Sequence, residues 1–171
     1  MKAVWKRIHA WLDENAPAGY GHLRPGADAK AILAAEAAMG LKLPDDVKAS
    51  YRTHDGQEKE PGLIGGEGWY LLSLKELVEQ WQRGSESDPK DTRRVPVAWG
   101  RAGDCVFLNL GPDAGETARL MIRRRDRTEP DHLAPSFSAW LADFADQLAR
   151  GEFAYSEEHG EVVYADDIDS D

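Results

Sequence analysis

Apolar residues first recur at Val4, Trp5, Ile8, Trp11 and Leu12, one stripe of an amphipathic helix that Asn15-Ala16-Pro17-Ala18-Gly19 brings to an end. A loop turned by Pro25 and Gly26 follows. Asp28 is placed to cap a second helix over Ala29–Met39, with Ile32, Ala35, Glu36 and Met39 on one face. Gly40 stands where a left-handed residue closes a helix. Leu43-Pro44-Asp45-Asp46 restarts a short helix with Val47 and Tyr51 four apart, closed by His54-Asp55-Gly56.

The period changes after residue 60. Glycines 62, 65, 66 and 68 bracket Leu63-Ile64 and lead into Trp69-Tyr70-Leu71-Leu72, which reads as a hairpin. Ser73-Leu74-Lys75-Glu76 is a capping box opening a helix with Leu74, Leu77, Val78 and Trp81, and the polar run RGSESDPKDTRR reads as a loop. Val95–Trp99, Cys105–Leu110 and Ala118–Arg124 are strand candidates, the last two joined by a turn at Gly111–Gly115. Ser136 caps a closing helix with Phe137, Trp140, Leu141, Phe144, Ala145 and Leu148 inward, and Gly151 ends it. Helices from both chain ends packed with an antiparallel sheet make a single α+β domain.

Charge adds an asymmetry. Of the 171 residues 42% are hydrophobic and 30% charged, and the net charge is −10. Residues 152–171 hold eight acids and no Lys or Arg, leaving 23 acids against 21 bases in the first 151. An acidic end on a near-neutral body disfavours nucleic acid, whose phosphates it would repel, and favours a basic protein partner. No apolar run approaches a membrane span, and the N-terminus lacks a signal peptide's apolar block. A lone cysteine, Cys105, excludes an internal disulfide, so the expected setting is the cytoplasm.

The order of motifs resembles a known family. Trp5 and Trp11 in the first helix lead to Ala35-Glu36, Gly40, Leu43-Pro44, Tyr51 and Asp55-Gly56-Gln57. Leu71-Leu72-Ser73-Leu74, Gly103-Asp104 and Ser136-Phe137…Leu141…Phe144…Gly151 complete the series. Together they resemble cell-wall assembly regulators of the Smi–Knr type, part of the SUKH superfamily, over residues 1–155, with 156–171 as an acidic segment beyond the pattern. The resemblance implies a binding module rather than an enzyme. Fungal members regulate cell-wall glucan synthesis through protein contacts; bacterial members resemble immunity proteins that neutralise a cognate toxin by occlusion. The lack of long flanks points to the bacterial kind, with regulation of cell-wall synthesis as the alternative.

Chemistry-bearing motifs have simpler readings. His54-Asp55 suits a helix end and an Asp-Gly turn better than a metal pair, since the other histidines stand apart in sequence. The glycine-dense 62–68 stretch lacks the Lys-Ser/Thr of a phosphate loop. Cys105 reads as a small buried hydrophobe. Arg123, Arg124, Arg125 and Arg127 alternate between strand faces, so they cannot all line one groove, and they read as a solvated strand end paired with carboxylates. Trp5, Trp11, Trp81 and Trp140 read as core. No catalytic, metal or cofactor residue is assigned. The expected protein interface is acidic, formed by Glu58, Glu60, Glu67, Glu157, Glu158, Asp166 and Asp167 with Trp69 and Trp99 as anchors, and its partner is a toxin domain with a basic surface.

Overall fold

In a computed structural model the chain is described over residues 1–58, 62–65, 68–87, 92–100, 102–111 and 118–168, without the side chains of 18, 19 and 87. The helical N-terminal half comprises α1 (Lys2–Asn15), α2 (Pro17–Tyr20), α3 (Ala29–Met39) and α4 (Asp45–Tyr51). Each forms where its apolar spacing predicts, except that Pro17 starts α2 rather than only ending α1, proline being at home in a first helical turn. Asp28 accepts the Ala31 N–H at 2.7 Å, and Gly40 closes α3 at φ 64°.

Five strands follow in a meander: β1 (Tyr70–Leu71), β2 (Arg94–Trp99), β3 (Cys105–Asn109), β4 (Arg119–Arg123) and β5 (Asp131–Ala134), each antiparallel to the next. Of the expected hairpin, the Ile64 N–H reaches the Trp69 carbonyl at 3.5 Å and Gly62 lies against Gly68, but residues 62–65 are not in a strand. Leu63 and Ile64 are buried in a bend, and β1 pairs with β2 instead. Helix α5 (Leu74–Ser87) opens on the capping box, with the Ser73 hydroxyl 2.8 Å from Glu76 and the Ser73 N–H donating to it at 2.9 Å. It also runs through Arg83–Ser87, where the sequence suggests a loop. Helix α6 (Phe137–Ala149), capped by Ser136, packs against α1 and β4. The chain closes with a hairpin, β6 (Phe153–Ser156) and β7 (Glu161–Tyr164), then α7 (Ala165–Ile168). Residue 155 lies within β6, so the acidic end is part of the fold up to 168: Val162 is fully buried and donates its N–H to the Gly62 carbonyl at 2.9 Å.

The family motifs prove to be joints. Glu36 is buried, and its carboxylate accepts the Leu43 N–H at 2.9 Å and the Lys42 ammonium at 3.0 Å, closing the α3–α4 turn. Burial works to raise its pKa. The bonds from Lys42 and Leu43, with the charges of Lys42 and Lys48, outweigh that and hold it below the ordinary value. Residues 51–57 join the helices to the sheet. The buried Tyr51 hydroxyl donates to the Leu72 carbonyl at 2.9 Å, and Asp55 accepts the Leu74 N–H at 2.7 Å, capping α5. Gln57 uses both backbone and side chain against Leu71. Gly56, at φ 69°, lets the chain pass so close that a Cβ would lie 2.5 Å from the backbone of Leu72 and Ser73.

Two glycines separate the cost of conformation from the cost of crowding. Gly40→Ala, with φ 64° and nothing within 4 Å, is expected to cost about 1 kcal/mol. Gly56→Ala, in the same backbone region but against Leu72 and Ser73, is expected to cost more than about 3 kcal/mol, a Tm loss of roughly 6–12 °C. Equal losses in the two by calorimetry would show that the 51–57 joint is not close-packed.

Candidate functional site

The two faces of the sheet carry different chemistry. Val95, Leu108, Leu120, Val106 and Ile122 fall on one face by register and are buried toward α6. The opposite, outer face carries the rows Arg94–Asn109–Arg119, Pro96–Phe107–Met121 and Trp99–Cys105–Arg123. Pro96 is admitted to a central strand because the register shifts between it and Ala98, where a missing N–H is tolerated. Helix α5 lies beside this outer face and leaves a groove of about 290 Å³. Its floor is Pro96, Trp99, Cys105 and Phe107, its wall Gln80, Trp81 and Gly84, and its borders Arg83, Arg94 and Arg123. The Trp81 indole N–H donates to the Thr92 carbonyl at 3.1 Å, which fixes that wall, and the Arg94 guanidinium lies 5.6 Å from the centroid of the Phe107 ring. A volume near the lower limit of small-ligand pockets suits one or two side chains better than a cofactor.

The expected interface residues are dispersed. Trp99 is half-buried in the groove. Trp69 is corrected from anchor to core: it is 4% exposed and packs on the opposite face, against Gly65 and Gly100, where a Cβ on Gly100 would lie 3.2 Å from its ring. Glu58 is exposed and 2.8 Å from His22 Nδ1. Glu60 and Glu67 lie outside the described residues. Glu157 and Glu158 are exposed in the β6–β7 turn, whereas Asp166 and Asp167 sit on α7 at the other end of that hairpin. Four residues of strand separate the two pairs by roughly 13 Å, beyond the screening length in physiological salt, so they form two small patches.

The arginine run divides as strand alternation requires. Arg123 borders the groove, while Arg124 lies 3.7 Å from Asp104 and lines a cavity of about 330 Å³ on the core face with Trp140 and Tyr164. Arg127 pairs with Asp131 at 2.9 Å. Cys105 is buried in its strand. Among the described residues no group of three or more His, Cys, Asp or Glu is placed to hold a metal. The longest helices have 14 residues, and among the described residues none is long and apolar enough to cross a membrane.

His54 does have a partner that spacing does not reveal. Its Nε2 is 2.6 Å from Nε2 of His9, 45 positions away, and its Nδ1 is 2.7 Å from the Arg24 carbonyl. A carbonyl only accepts, so His54 carries its proton on Nδ1, and its Nε2 accepts from Nε2 of His9 when the two rings are neutral. Trp5 and Tyr20 pack edge-on around them. Burial lowers both pKa values, with His54 adding to the effect on His9 and the Arg24 carbonyl opposing it on His54. Asp55, turned toward Leu74, takes no part.

The described residues thus form an α+β domain with an aromatic groove on the outer face of its sheet. The sequence matches the SMI1 / KNR4 family (SUKH-1) over residues 26–143, and the chain belongs to that family. The matched span contains the groove and ends before the acidic hairpin. The glucan synthesis regulatory protein of Neurospora crassa is 31% identical, over 82% of this chain and 28% of its own length. The cell wall biosynthesis/cell cycle regulator smi1 of Schizosaccharomyces pombe is 25% identical, over 90% of this chain and 37% of its own. F-box only protein 3 of Mus musculus is 39% identical across 66 residues, 38% of this chain and 14% of its own. This chain thus spans less than two fifths of the length of each of these relatives.

Because both imidazoles are depressed, the stability they contribute is whole above the unfolded value near 6.5 and is lost as pH falls through the folded values. The Tm is therefore expected to fall between about pH 7.5 and about pH 5.5, and His9→Gln to flatten that slope. An identical slope in the variant would remove the pair from the account.

Proposed function

We propose that this chain is a non-catalytic protein-binding module that regulates through its contacts, in cell-wall synthesis or signalling. The observation that carries this reading is Trp99, half-buried over an open groove whose floor is apolar and aromatic. Aromatic side chains at the centre of such a groove supply much of an interface's energy, because they bury large area at little entropic cost. The names of the Neurospora and Schizosaccharomyces relatives, both regulators, support it. They support a regulatory role over the neutralisation of a toxin, which the resemblance also implied. A toxin domain with a basic surface would instead engage the carboxylates of Glu157 and Glu158, which stand exposed at the hairpin turn.

The two readings separate in one affinity purification with tagged protein. Trp99→Ala is expected to weaken retention of the partner at least about tenfold with unchanged circular dichroism, and Glu157→Lys with Glu158→Lys to leave it nearly intact. The reverse pattern, a basic partner lost on charge reversal and kept by Trp99→Ala, would transfer the function to the acidic hairpin.

A further inference from the structure

The two edges of the five-stranded sheet end differently. At β1 the edge is closed: Gln57 donates its backbone N–H to the Leu71 carbonyl at 3.0 Å, and its side-chain oxygen accepts the Leu71 N–H at 3.3 Å. At the other edge β5 pairs with β4 alone, and among the described residues nothing bonds to the backbone on its far side. On alternate residues of such a strand the N–H and C=O point away from its one neighbour, so β5 presents an unfilled row of donors and acceptors. We infer that this edge takes an extended segment of a partner protein as a sixth strand of the sheet, with one bulky apolar side chain of that segment seated beneath α6. The inference goes beyond the docking reading above, since the groove of Trp99 lies on β2, β3, β4 and α5.

Two features carry it beyond a bare edge. Leu133 and Ala134 of β5, with Pro135 just after it, line the cavity of about 330 Å³ on the core face, and Ala139 and Trp140 of α6 line it from above. A strand laid about 4.8 Å beyond β5 extends that core face, so its alternate side chains stand beside this cavity. Main-chain bonds then supply affinity, and the cavity, near the lower limit of ligand pockets, selects one leucine-sized side chain. The second feature is length. Pro130 and Pro135 bracket β5 and confine it to four residues, because a proline has no N–H to continue a ladder. So short an edge suits a short segment rather than a second copy of the sheet, and the net charge of −10 on each chain opposes two copies meeting edge to edge. Asp131, at the start of β5, is paired with Arg127 at 2.9 Å, so the segment needs no particular charge there.

The test uses the full isotope-labelled chain and a blocked Thr-Val-Leu-Val-Thr peptide, titrated by nuclear magnetic resonance. Two further forms of the peptide are each N-methylated on one set of alternate amides, which removes donors from one edge of the added strand and leaves every side chain in place. The plain peptide is expected to shift the amide signals of β5 and of Ala139 and Trp140. One methylated form is expected to bind about tenfold or more weakly, and the other nearly as well as the plain peptide. Ala139→Leu, a substitution that a helix accepts and that narrows the cavity, is expected to cost about threefold to tenfold in affinity with unchanged circular dichroism. Trp99→Ala is expected to leave the titration unchanged, so its result does not depend on the groove. Equal binding of all three peptides, no binding, or shifts confined to the groove would overturn the inference. So would a concentration-dependent dimer in sedimentation that Leu133→Lys abolishes, since the edge would then belong to a second copy.

Discussion

The fold depends on one joint. Residues 51–57 close a helix, turn, and lock onto the start of the sheet through the Tyr51 hydroxyl, the Asp55 carboxylate and both polar ends of Gln57. Those bonds are made in the interior, where a polar group without a partner would cost more than the bond contributes. Burial, with the charges of Asp55 and Glu76, also pushes the Tyr51 pKa far above its ordinary value, so the hydroxyl keeps the proton it donates. A segment held this tightly positions α5, since Asp55 caps that helix beside its own capping box. The placement of α5 in turn decides how far the groove stands open.

From that joint the sheet acquires two faces of different character. One is covered by α6 and filled with branched aliphatic side chains; the other carries arginines, aromatics and Pro96 and is only partly covered by α5. Trp69 and Trp99 show the consequence. Trp69 directly precedes β1 and Trp99 pairs with Tyr70 at the end of β2, yet one is core and the other lines the groove. The acidic hairpin packs with α6, so Glu157 and Glu158 belong to the core side of the sheet and the aromatic recess to the other.

The longer helices were legible in the chain itself because their determinants are local: the apolar stripes of α1 and α6, the Asp28, Ser73 and Ser136 caps, and Gly40; the one-turn helices α2 and α7 were not. So were the three central strands, the α+β class and the structural nature of Cys105. Strand β5 and the last turn of α5 were less so, since Asp131–Ala134 and Arg83–Ser87 are too polar for period alone to distinguish from loop. The groove, the His9–His54 pair and the burial of Trp69 were decided only in three dimensions. Each arises from residues tens of positions apart: Arg94 and Arg123 border one groove from β2 and β4, and His9 on α1 meets His54 beyond the end of α4. Local patterning states which side chains leave water; which of them share a wall is set by register and packing, and those depend on the whole chain at once.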